Sequence, residues 1–229
     1  MKLQRAAPPG SIALGLALRA ARLAAGFGVR ELARRAAVHP GVVSSWELGG
    51  RIPSLDSVSF LAGVLRLTLA EGDGLRKLVA DAHREDYLET DEGSAARLTA
   101  AYERVAARVV EWDPNSLSSR LPHGEAAPRE VFVGADSVDL DGEWLARRFR
   151  RGPECIRLVT SKAVDIPAFT VYRVDGKTPT VALRHAHCTV YLTSHLATQP
   201  YLCEVRRFGV EALSAEATLA VLHGLQEAM

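Results

Sequence analysis

Apolar side chains recur three and four positions apart from Ser11 to Tyr87, the spacing that buries one face of an α-helix. The first helix is expected to begin at Ser11, because serine caps helix N-termini, and to end at Gly26. The predicted buried stripe of this helix consists of Ile12, Leu16, Ala20 and Leu23, with Arg19 and Arg22 outside it.

Two short helices joined by a tight turn are predicted between Gly28 and Ser54. The first covers residues 29–36 and places its small and apolar side chains on one inner face. The turn follows at residues 37–39, where Val38 is the apolar residue that we expect between the two helices.

The second of these helices is predicted to run from Pro40 to Leu48. Proline suits the first helical position because its missing N–H would have no partner there. Val43 and Trp46 are three positions apart and are expected to face inward. Gly49 tolerates the positive φ that commonly ends a helix, so the segment predicts a compact helix-turn-helix.

Two further helices complete the predicted first domain. Ser54 is expected to cap a fourth helix. The glycines at residues 72–74 predict a break, and a fifth helix is expected over residues 75–87. The buried positions predicted for the fourth helix are Leu55, Val58, Leu61 and Leu65.

An acidic stretch at residues 85–94 is interpreted as a linker between two domains, residues 1–90 and 95–229. A long helix is then predicted over residues 95–112. Farther along, short runs of β-branched and aromatic residues bounded by turns replace the helical spacing and indicate strands. The predicted strands are 131–133, 155–161, 168–174, 180–184 and 188–193, and the predicted helices are 141–151, 194–212 and 214–227.

The connections between these strands are short, and Asp175-Gly176 is a typical hairpin turn, so the strands favour an antiparallel meander. We therefore predict an α+β protein. An all-α domain of five helices contains the helix-turn-helix, and an α+β domain with a small, mainly antiparallel sheet follows it.

The 229 residues are 48% hydrophobic and 24% charged, a composition typical of a folded globular chain. The net charge of +1 conceals a strong asymmetry. Residues 1–66 contain nine Lys and Arg against three Asp and Glu, whereas residues 67–146 contain eight against seventeen. Because the basic segment coincides with the helix-turn-helix, a surface that attracts DNA phosphates is expected there.

No catalytic signature accompanies this pattern. The chain has no Gly-x-Ser-x-Gly nucleophile elbow and no glycine-rich phosphate loop, so we predict that it is not an enzyme and uses no cofactor. Cys155, Cys188 and Cys203 lack metal-ligand spacing and indicate reduced thiols in a cytoplasmic protein. The apolar stretch at residues 12–25 is interrupted by arginines and predicts no membrane span.

Three histidines, His185, His187 and His195, lie close together in sequence and leave a metal-responsive regulator as the weakest alternative. No acidic or second cysteine ligand accompanies them. We therefore interpret them as surface or partly buried histidines and predict no metal site.

The helix-turn-helix carries a set of residues at characteristic positions, Glu31-Leu32-Ala33, Val38, Val43-Ser44, Trp46-Glu47, Gly49 and Pro53-Ser54-Leu55. With these residues, the segment from Ile12 to Leu67 resembles the Cro/phage-repressor class, also called the XRE family. The resemblance implies a sequence-specific transcriptional regulator that binds double-stranded operator DNA and is associated with the nucleoid in the cytoplasm.

Side chains on the N-terminal turns of a recognition helix reach base edges in the major groove. Val42 is expected to contact a thymine methyl group and Ser45 to make one hydrogen bond, whereas Pro40 and Gly41 offer no side-chain donor. The family usually has polar residues at such positions and at Val29. Because the base contacts are few, we predict weak binding by one protomer and a homodimer that reads two half-sites.

Phosphate contacts are expected to position the domain on the duplex. They are assigned to Arg30, His39, Ser44 and Arg51, together with backbone N–H groups near Gly49-Gly50.

A second set of residues lies in the C-terminal half, namely Tyr102-Glu103, Trp112, Pro114, Val190-Tyr191-Leu192 and Ala212-Leu213-Ser214-Ala215-Glu216. With them, the half is similar to a domain, known mainly as DUF5753, that follows this helix-turn-helix in many actinobacterial regulators. Thr193 stands where that family has Glu. The resemblance implies a regulatory, partner-binding and dimerising module that responds to a ligand or to a small DUF397-like protein.

Two functions from different classes remain open. The first is a DNA-binding regulator controlled through its C-terminal domain, which the basic first domain favours. The second is a protein-interaction member of a toxin–antitoxin-like pair with weak or no base-specific readout. The absence of polar side chains at Val29, Pro40 and Gly41 favours the second.

Overall fold

The fold is α+β, as predicted. A computed structural model describes residues 7–90, 95–114, 128–134, 156–160, 166–175 and 177–227. These residues contain eight helices and seven strands. They divide into two compact units, of which the first is Arg5–Ala101 with Val190–Ser194 and the second contains Tyr102–Thr189 and His195–Met229.

The first unit contains the five helices expected for it. They are α1 (Pro9–Ala24), α2 (Val29–Arg35), α3 (Pro40–Glu47), α4 (Leu55–Val64) and α5 (Leu69–Asp81).

Helix α1 begins two residues before the predicted start, and its buried face differs from the predicted stripe. Pro8 is the N-cap, and Ser11 lies inside the helix, where its buried hydroxyl donates a hydrogen bond to the Gly49 carbonyl at 2.7 Å. Leu23 is 58% exposed, and Arg22 is buried. The prediction failed because the inner face includes small and charged residues that pack against α3 and α5. It is formed by Pro9, Gly10, Ser11, Leu14, Gly15, Leu18 and Arg22.

Helices α2 to α4 follow the prediction closely. Ala37 in the turn adopts a φ of 53° and Gly49 after α3 a φ of 70°. The Ser54 hydroxyl accepts a hydrogen bond from the Ser57 N–H at 3.1 Å and caps α4. Leu55 was expected to be buried but is 50% exposed, because α4 buries only its later turns. The shared core includes Leu14, Leu18, Leu32, Val43, Trp46, Val58, Leu61, Leu65 and Leu75.

The predicted break at residues 72–74 is wrong, because α5 runs through both glycines. Its start is fixed by a reciprocal capping box, in which the Thr68 hydroxyl accepts from the Glu71 N–H and the Glu71 carboxylate accepts from the Thr68 N–H. Gly72 is buried at the contact with α4, where a side chain would meet Ala62. The two glycines therefore lie within a helix whose first turn is well capped.

The acidic stretch interpreted as a linker contains a strand, β1 (Tyr87–Thr90). Glu89 is only 3% exposed, and its carboxylate accepts a hydrogen bond from the Tyr191 hydroxyl at 3.1 Å. Nearby, the Thr193 N–H donates to Asp86 at 3.0 Å. Residues far apart in sequence thus order this acidic segment within the first unit.

The predicted long helix stops early. Helix α6 covers Ala95–Val105, and Arg108–Asp113 form strand β2. Val109 and Val110 are buried on opposite faces of that strand. A short apolar run of this kind occurs in buried strands and in buried helices, so its spacing alone does not distinguish them. The remaining strands are β3 (Arg129–Gly134), β4 (Ile156–Val159), β5 (Phe169–Arg173), β6 (Thr180–Arg184) and β7 (Cys188–Leu192).

The strands follow the order β1-β7-β6-β5-β2-β3-β4 in a mixed sheet. The pairings β2–β5 and β5–β6 are antiparallel, as expected of a meander, but β2–β3 and β3–β4 are parallel. Parallel pairing requires crossovers, which short sequence patterns do not reveal. The helix predicted at residues 141–151 and Cys155 lie outside the described residues.

Helices α7 (His195–Glu211) and α8 (Ala215–Glu227) confirm the last two predictions. In the second unit Phe208 of α7 stacks on Trp112 of β2 at 4.3 Å between ring centroids. On the other face, Tyr102 of α6 stacks on Tyr172 of β5 at 5.3 Å. The sheet is therefore covered by a helix on each face.

Within the described residues, no single helix is long and apolar enough to cross a membrane. By length and composition alone, α1 and α2 meet that criterion only as a pair, across a bend of 93°.

Candidate nucleic-acid interface

Helix α3 begins at a histidine cap that the sequence did not predict. The Nδ1 atom of His39 accepts a hydrogen bond from the Gly41 N–H at 3.1 Å. The ring therefore offers its Nε2 side to solvent, and an acceptor at Nδ1 corresponds to the neutral Nε2–H tautomer. His39 remains exposed, so that N–H can donate to a phosphate while the other nitrogen caps the helix.

The C-terminal end of α3 is closed by its own carbonyl groups. The Gly50 N–H donates to the Ser45 carbonyl at 2.9 Å and the Gly49 N–H to the Trp46 carbonyl at 3.1 Å, the Schellman pattern. The Arg51 N–H also donates to Ser45, at 3.2 Å. The predicted phosphate contacts from backbone N–H groups near Gly49-Gly50 are therefore wrong, because these donors are already used.

A buried ion pair fixes α3 against α1. The guanidinium of Arg22 donates to both carboxylate oxygens of Glu47 at 2.6 and 2.9 Å, and its remaining nitrogen donates to the Phe27 carbonyl at 2.7 Å. The hydrogen bond to Glu47 raises the pKa of Arg22 against the opposing effect of burial. Sequence analysis placed Arg22 in solvent, because its partner lies 25 positions away.

The carboxylates of α1–α5 are largely neutralised within the unit. Glu31, for example, pairs with Arg35 at 2.7 Å and with Arg34, and these hydrogen bonds lower the pKa of Glu31. Glu47, Glu71, Asp73 and Asp81 are likewise held by neighbouring side chains or by a helix cap. Among the described residues, the cations of this unit without an ion pair include Arg19, Arg30, Arg51, Arg66 and Lys77.

The predicted contact residues lie along α2, the turn and α3. Arg30, His39, Gly41 and Arg51 are exposed, which leaves them available to a ligand. Pro40, Val42, Ser44 and Ser45 are half-buried. Val42 packs in part against the core, so only part of its side chain faces outward.

Sequence analysis overlooked one residue of this surface. Leu48, the C-cap of α3, is 71% exposed. Ser45 is four residues after Gly41 and Leu48 is three residues after Ser45, so Leu48 continues their helical face. This exposed leucine adds an apolar side chain to the outward face of α3. The helical spacing from Gly41 was the sequence signal for it.

This arrangement presents a short helix whose outer face is small or apolar. Arg30 and Arg51 flank it and have no ion pair within the described part of the chain. The outer face of α3 therefore has few side-chain hydrogen-bond donors.

The histidines considered for a metal are not brought together as a site. His185 and His187 are exposed and lie between β6 and β7, while the His195 ring is 3.0 Å from the Gln199 side chain. In the part of the chain that the structure describes, no three His, Cys, Asp or Glu side chains cluster as metal ligands would.

Comparison with known proteins adds independent information. A helix-turn-helix family profile matches residues 18–72. The comparison with curated proteins gave no match.

Three solved structures show local or distant similarity. Two are crystal structures of the clp gene regulator ClgR from Corynebacterium glutamicum. One is 29% identical and covers 34% of this chain and 97% of its own, with a TM-score of 0.28. The other is 33% identical and covers 33% and 84%, with a TM-score of 0.27.

The third structure is TrmBL2, described as an archaeal chromatin protein, at 12% identity over 77% of this chain and 71% of its own. Its TM-score is 0.36, so none of the three superpositions establishes a shared overall fold. The sequence match and the geometry of α2 and α3 agree with each other. Residues 18–72 are a helix-turn-helix domain of the XRE type, the domain of a DNA-binding transcription regulator.

Proposed function

We propose that the chain represses or activates transcription by binding a two-fold symmetric operator as a homodimer, with α3 of each protomer in a major groove. The observation that carries this proposal is the outer face of α3, where Gly41, Ser45 and Leu48 are held outward by the buried Arg22–Glu47 pair. A helix locked in this way can read a groove without first being ordered.

Base contacts in this arrangement come from Val42, Ser45 and Leu48, and phosphate contacts from Arg30, His39, Ser44 and Arg51. Each good bidentate base contact contributes about 1–3 kcal/mol of discrimination. With mostly apolar contacts, one protomer discriminates poorly. Two half-sites read together supply the affinity that a single α3 lacks, which is why a dimer is part of the proposal.

The test is fluorescence anisotropy with the DNA upstream of the chain's own gene, measured across a salt series. The logarithm of the binding constant should fall linearly with the logarithm of salt concentration, by about 0.9 for each phosphate contacted. A scrambled duplex of equal length is the control. Equal affinity for both duplexes, or no binding at low salt, contradicts sequence-specific DNA binding.

Control of this activity is assigned to the C-terminal unit, which resembles the DUF5753 domain of actinobacterial regulators. The proposed effector is a ligand or a small DUF397-like protein. Purified full chain, mixed with such a protein encoded beside its gene, should lose or gain affinity for the operator. A complex that leaves DNA affinity unchanged contradicts this assignment.

A second candidate function follows from the apolar character of α3. Pro40 and Gly41 occupy its first turn and carry no hydrogen-bonding side chain. The chain would then be the protein-binding partner in a toxin–antitoxin-like pair. The same experiment separates the two functions, because this candidate requires a stable complex with the neighbouring protein and equal, weak binding to both duplexes.

A further inference from the structure

Two arginines face each other across neighbouring strands in the second unit. The antiparallel register of β2 and β5 places Arg108 directly opposite Arg173. Directly opposed residues project from the same face of a sheet. On this face Trp112 of β2 contacts Phe208 of α7, and Phe169 of β5 lies 5.1 Å from Tyr201 of the same helix. The two arginines therefore lie at the rim of the sheet face that α7 covers.

A third arginine, Arg206, lies on α7, the helix that covers this face of the sheet. The Nε atom of Arg206 donates to the Leu202 carbonyl at 3.3 Å, which fixes part of the side chain against its own helix. Burial lowers the pKa of Arg173, and the neighbouring Arg108 and Arg206 guanidiniums lower it further. Both neighbouring cations thus disfavour the charge of the half-buried Arg173.

The acidic residues nearby neutralise this group only in part, because Arg108 alone has a carboxylate partner, Glu130. Glu130 binds Arg108 and, at 3.5 Å, also Arg157 on β4, so one carboxylate serves two guanidiniums. Glu204 and Glu211 pair with Arg207 on the same helix. Among the described residues, neither Arg173 nor Arg206 has a carboxylate partner.

Like charges directly opposite each other in a sheet are destabilising, and a half-buried cation adds a desolvation cost. A bound anion removes both penalties at once. A phosphoryl group suits three guanidiniums best, because it has two negative charges near neutral pH and several acceptor oxygens for their planar donors.

We propose that Arg108, Arg173 and Arg206 form a binding site for the phosphoryl group of a small molecule. The site goes beyond the DNA-binding function and does not depend on it, since all three residues belong to the second unit. Phosphoryl chemistry has two possible sources, free inorganic phosphate and a phosphate monoester, and the site makes the same contacts with both.

The experiment is calorimetric titration of the full chain, without DNA and at constant ionic strength. The probes are inorganic phosphate, adenosine monophosphate as a phosphate monoester, and adenosine as the matched compound without the phosphoryl group. Phosphate or the monoester should bind, and adenosine should not. Tighter binding of the monoester identifies a phosphorylated small molecule as the source, and equal or weaker binding identifies free phosphate.

The decisive variant is Arg173→Gln, expected to weaken binding by about ten-fold or more because a charged hydrogen-bond donor is lost. Arg184→Gln is the matched control. Arg184 is exposed, and the β5–β6 register places it at the far end of the sheet, on the face opposite Arg173. Its removal should leave affinity unchanged.

Arg206→Gln serves as a second variant, and circular dichroism confirms that each variant is folded. If Arg173→Gln fails to fold, Arg206→Gln decides the result. The proposal is overturned if no probe binds, or if Arg184→Gln weakens binding as much as the site variants do. Because DNA is absent, either result leaves the proposed operator binding untouched.

Discussion

Arg22 on α1 and Glu47 on α3 meet in a bidentate ion pair whose side chains are only 7% and 8% exposed. The pair joins the first helix to the end of the helix that we assign to the major groove. Since Arg22 also donates to the Phe27 carbonyl just before α2, one guanidinium orients both helices of the helix-turn-helix.

Removing one partner of this pair leaves an uncompensated buried charge. Glu47→Leu is expected to lower the free energy of unfolding of the first unit by about 3–5 kcal/mol. Native-state hydrogen exchange of the α1–α5 amides measures this unit by itself.

The control for that change is the double variant Arg22→Met/Glu47→Leu. An apolar pair of similar volume has no buried charge, so the double variant should recover most of the lost stability. If Glu47→Leu costs less than about 1 kcal/mol, the ion pair does not hold α3 in place.

Close approach of α1 to α3 depends on glycine. A Cβ atom at Gly15 would lie 2.6 Å from the Trp46 carbonyl oxygen and 2.7 Å from that of Glu47, so backbone would have to move. Gly15→Ala is therefore expected to destabilise the unit by about 1–3 kcal/mol in the same exchange measurement.

Gly74 provides the matched comparison. It lies within α5, and a Cβ atom there would have no neighbour within 4 Å. Gly74→Ala should stabilise the unit by about 0.5–1 kcal/mol, because alanine loses less backbone entropy in a helix. Equal effects of the two substitutions would contradict the close contact between α1 and α3.

The capping box of α5 predicts a pH dependence. Hydrogen bonds from the Thr68 N–H and hydroxyl lower the pKa of Glu71. Because the folded pKa lies below the ordinary value of 4.5, the contribution to stability is complete above that pH and is lost as the pH falls through the folded pKa.

An NMR titration of the Glu71 carboxyl carbon measures this shift directly. In Thr68→Ala the hydroxyl donor is lost, so the pKa of Glu71 should rise toward its ordinary value. Ser54→Ala, which removes the cap of α4 instead, should leave the pKa of Glu71 where it was. An unshifted Glu71 in the unaltered chain would contradict the reciprocal cap.

The helix-turn-helix was predictable because its signals are local. Pro40, the positive-φ glycine Gly49 and the Ser54 cap each fix a helix end within a few residues. Side chains whose partners are distant gave no such signal. Arg22 was predicted to face solvent because its partner, Glu47, lies on α3. Glu89 was assigned to a linker because its partner, Tyr191, lies on β7.

The same distinction explains the sheet. β5 and β6 were recognised because a short turn joins them, and their antiparallel pairing follows from that turn. β2 was mistaken for the end of a helix, because its strand character depends on pairing with β3 and β5. The arginine site at its rim was equally hidden, since the register of two strands creates it.

On the helix-turn-helix, two kinds of contact should respond differently to salt. Arg51→Ala removes a proposed phosphate contact, so it should weaken operator binding and reduce the salt slope by about 1. Leu48→Ala removes an apolar contact, so it should weaken binding while the slope stays unchanged. Anisotropy titrations at several salt concentrations measure both quantities at once.

Lys77→Ala is the control for lost positive charge. Lys77 is exposed and has no ion pair among the described residues. It lies on α5, which packs against α1 and α4, and so it is not part of the α2–α3 face. Its removal should change neither affinity nor slope beyond a small general effect of charge. If Lys77→Ala and Arg51→Ala reduce the slope equally, the phosphate contacts are spread over the basic unit, and α3 does not determine how the domain is placed on DNA.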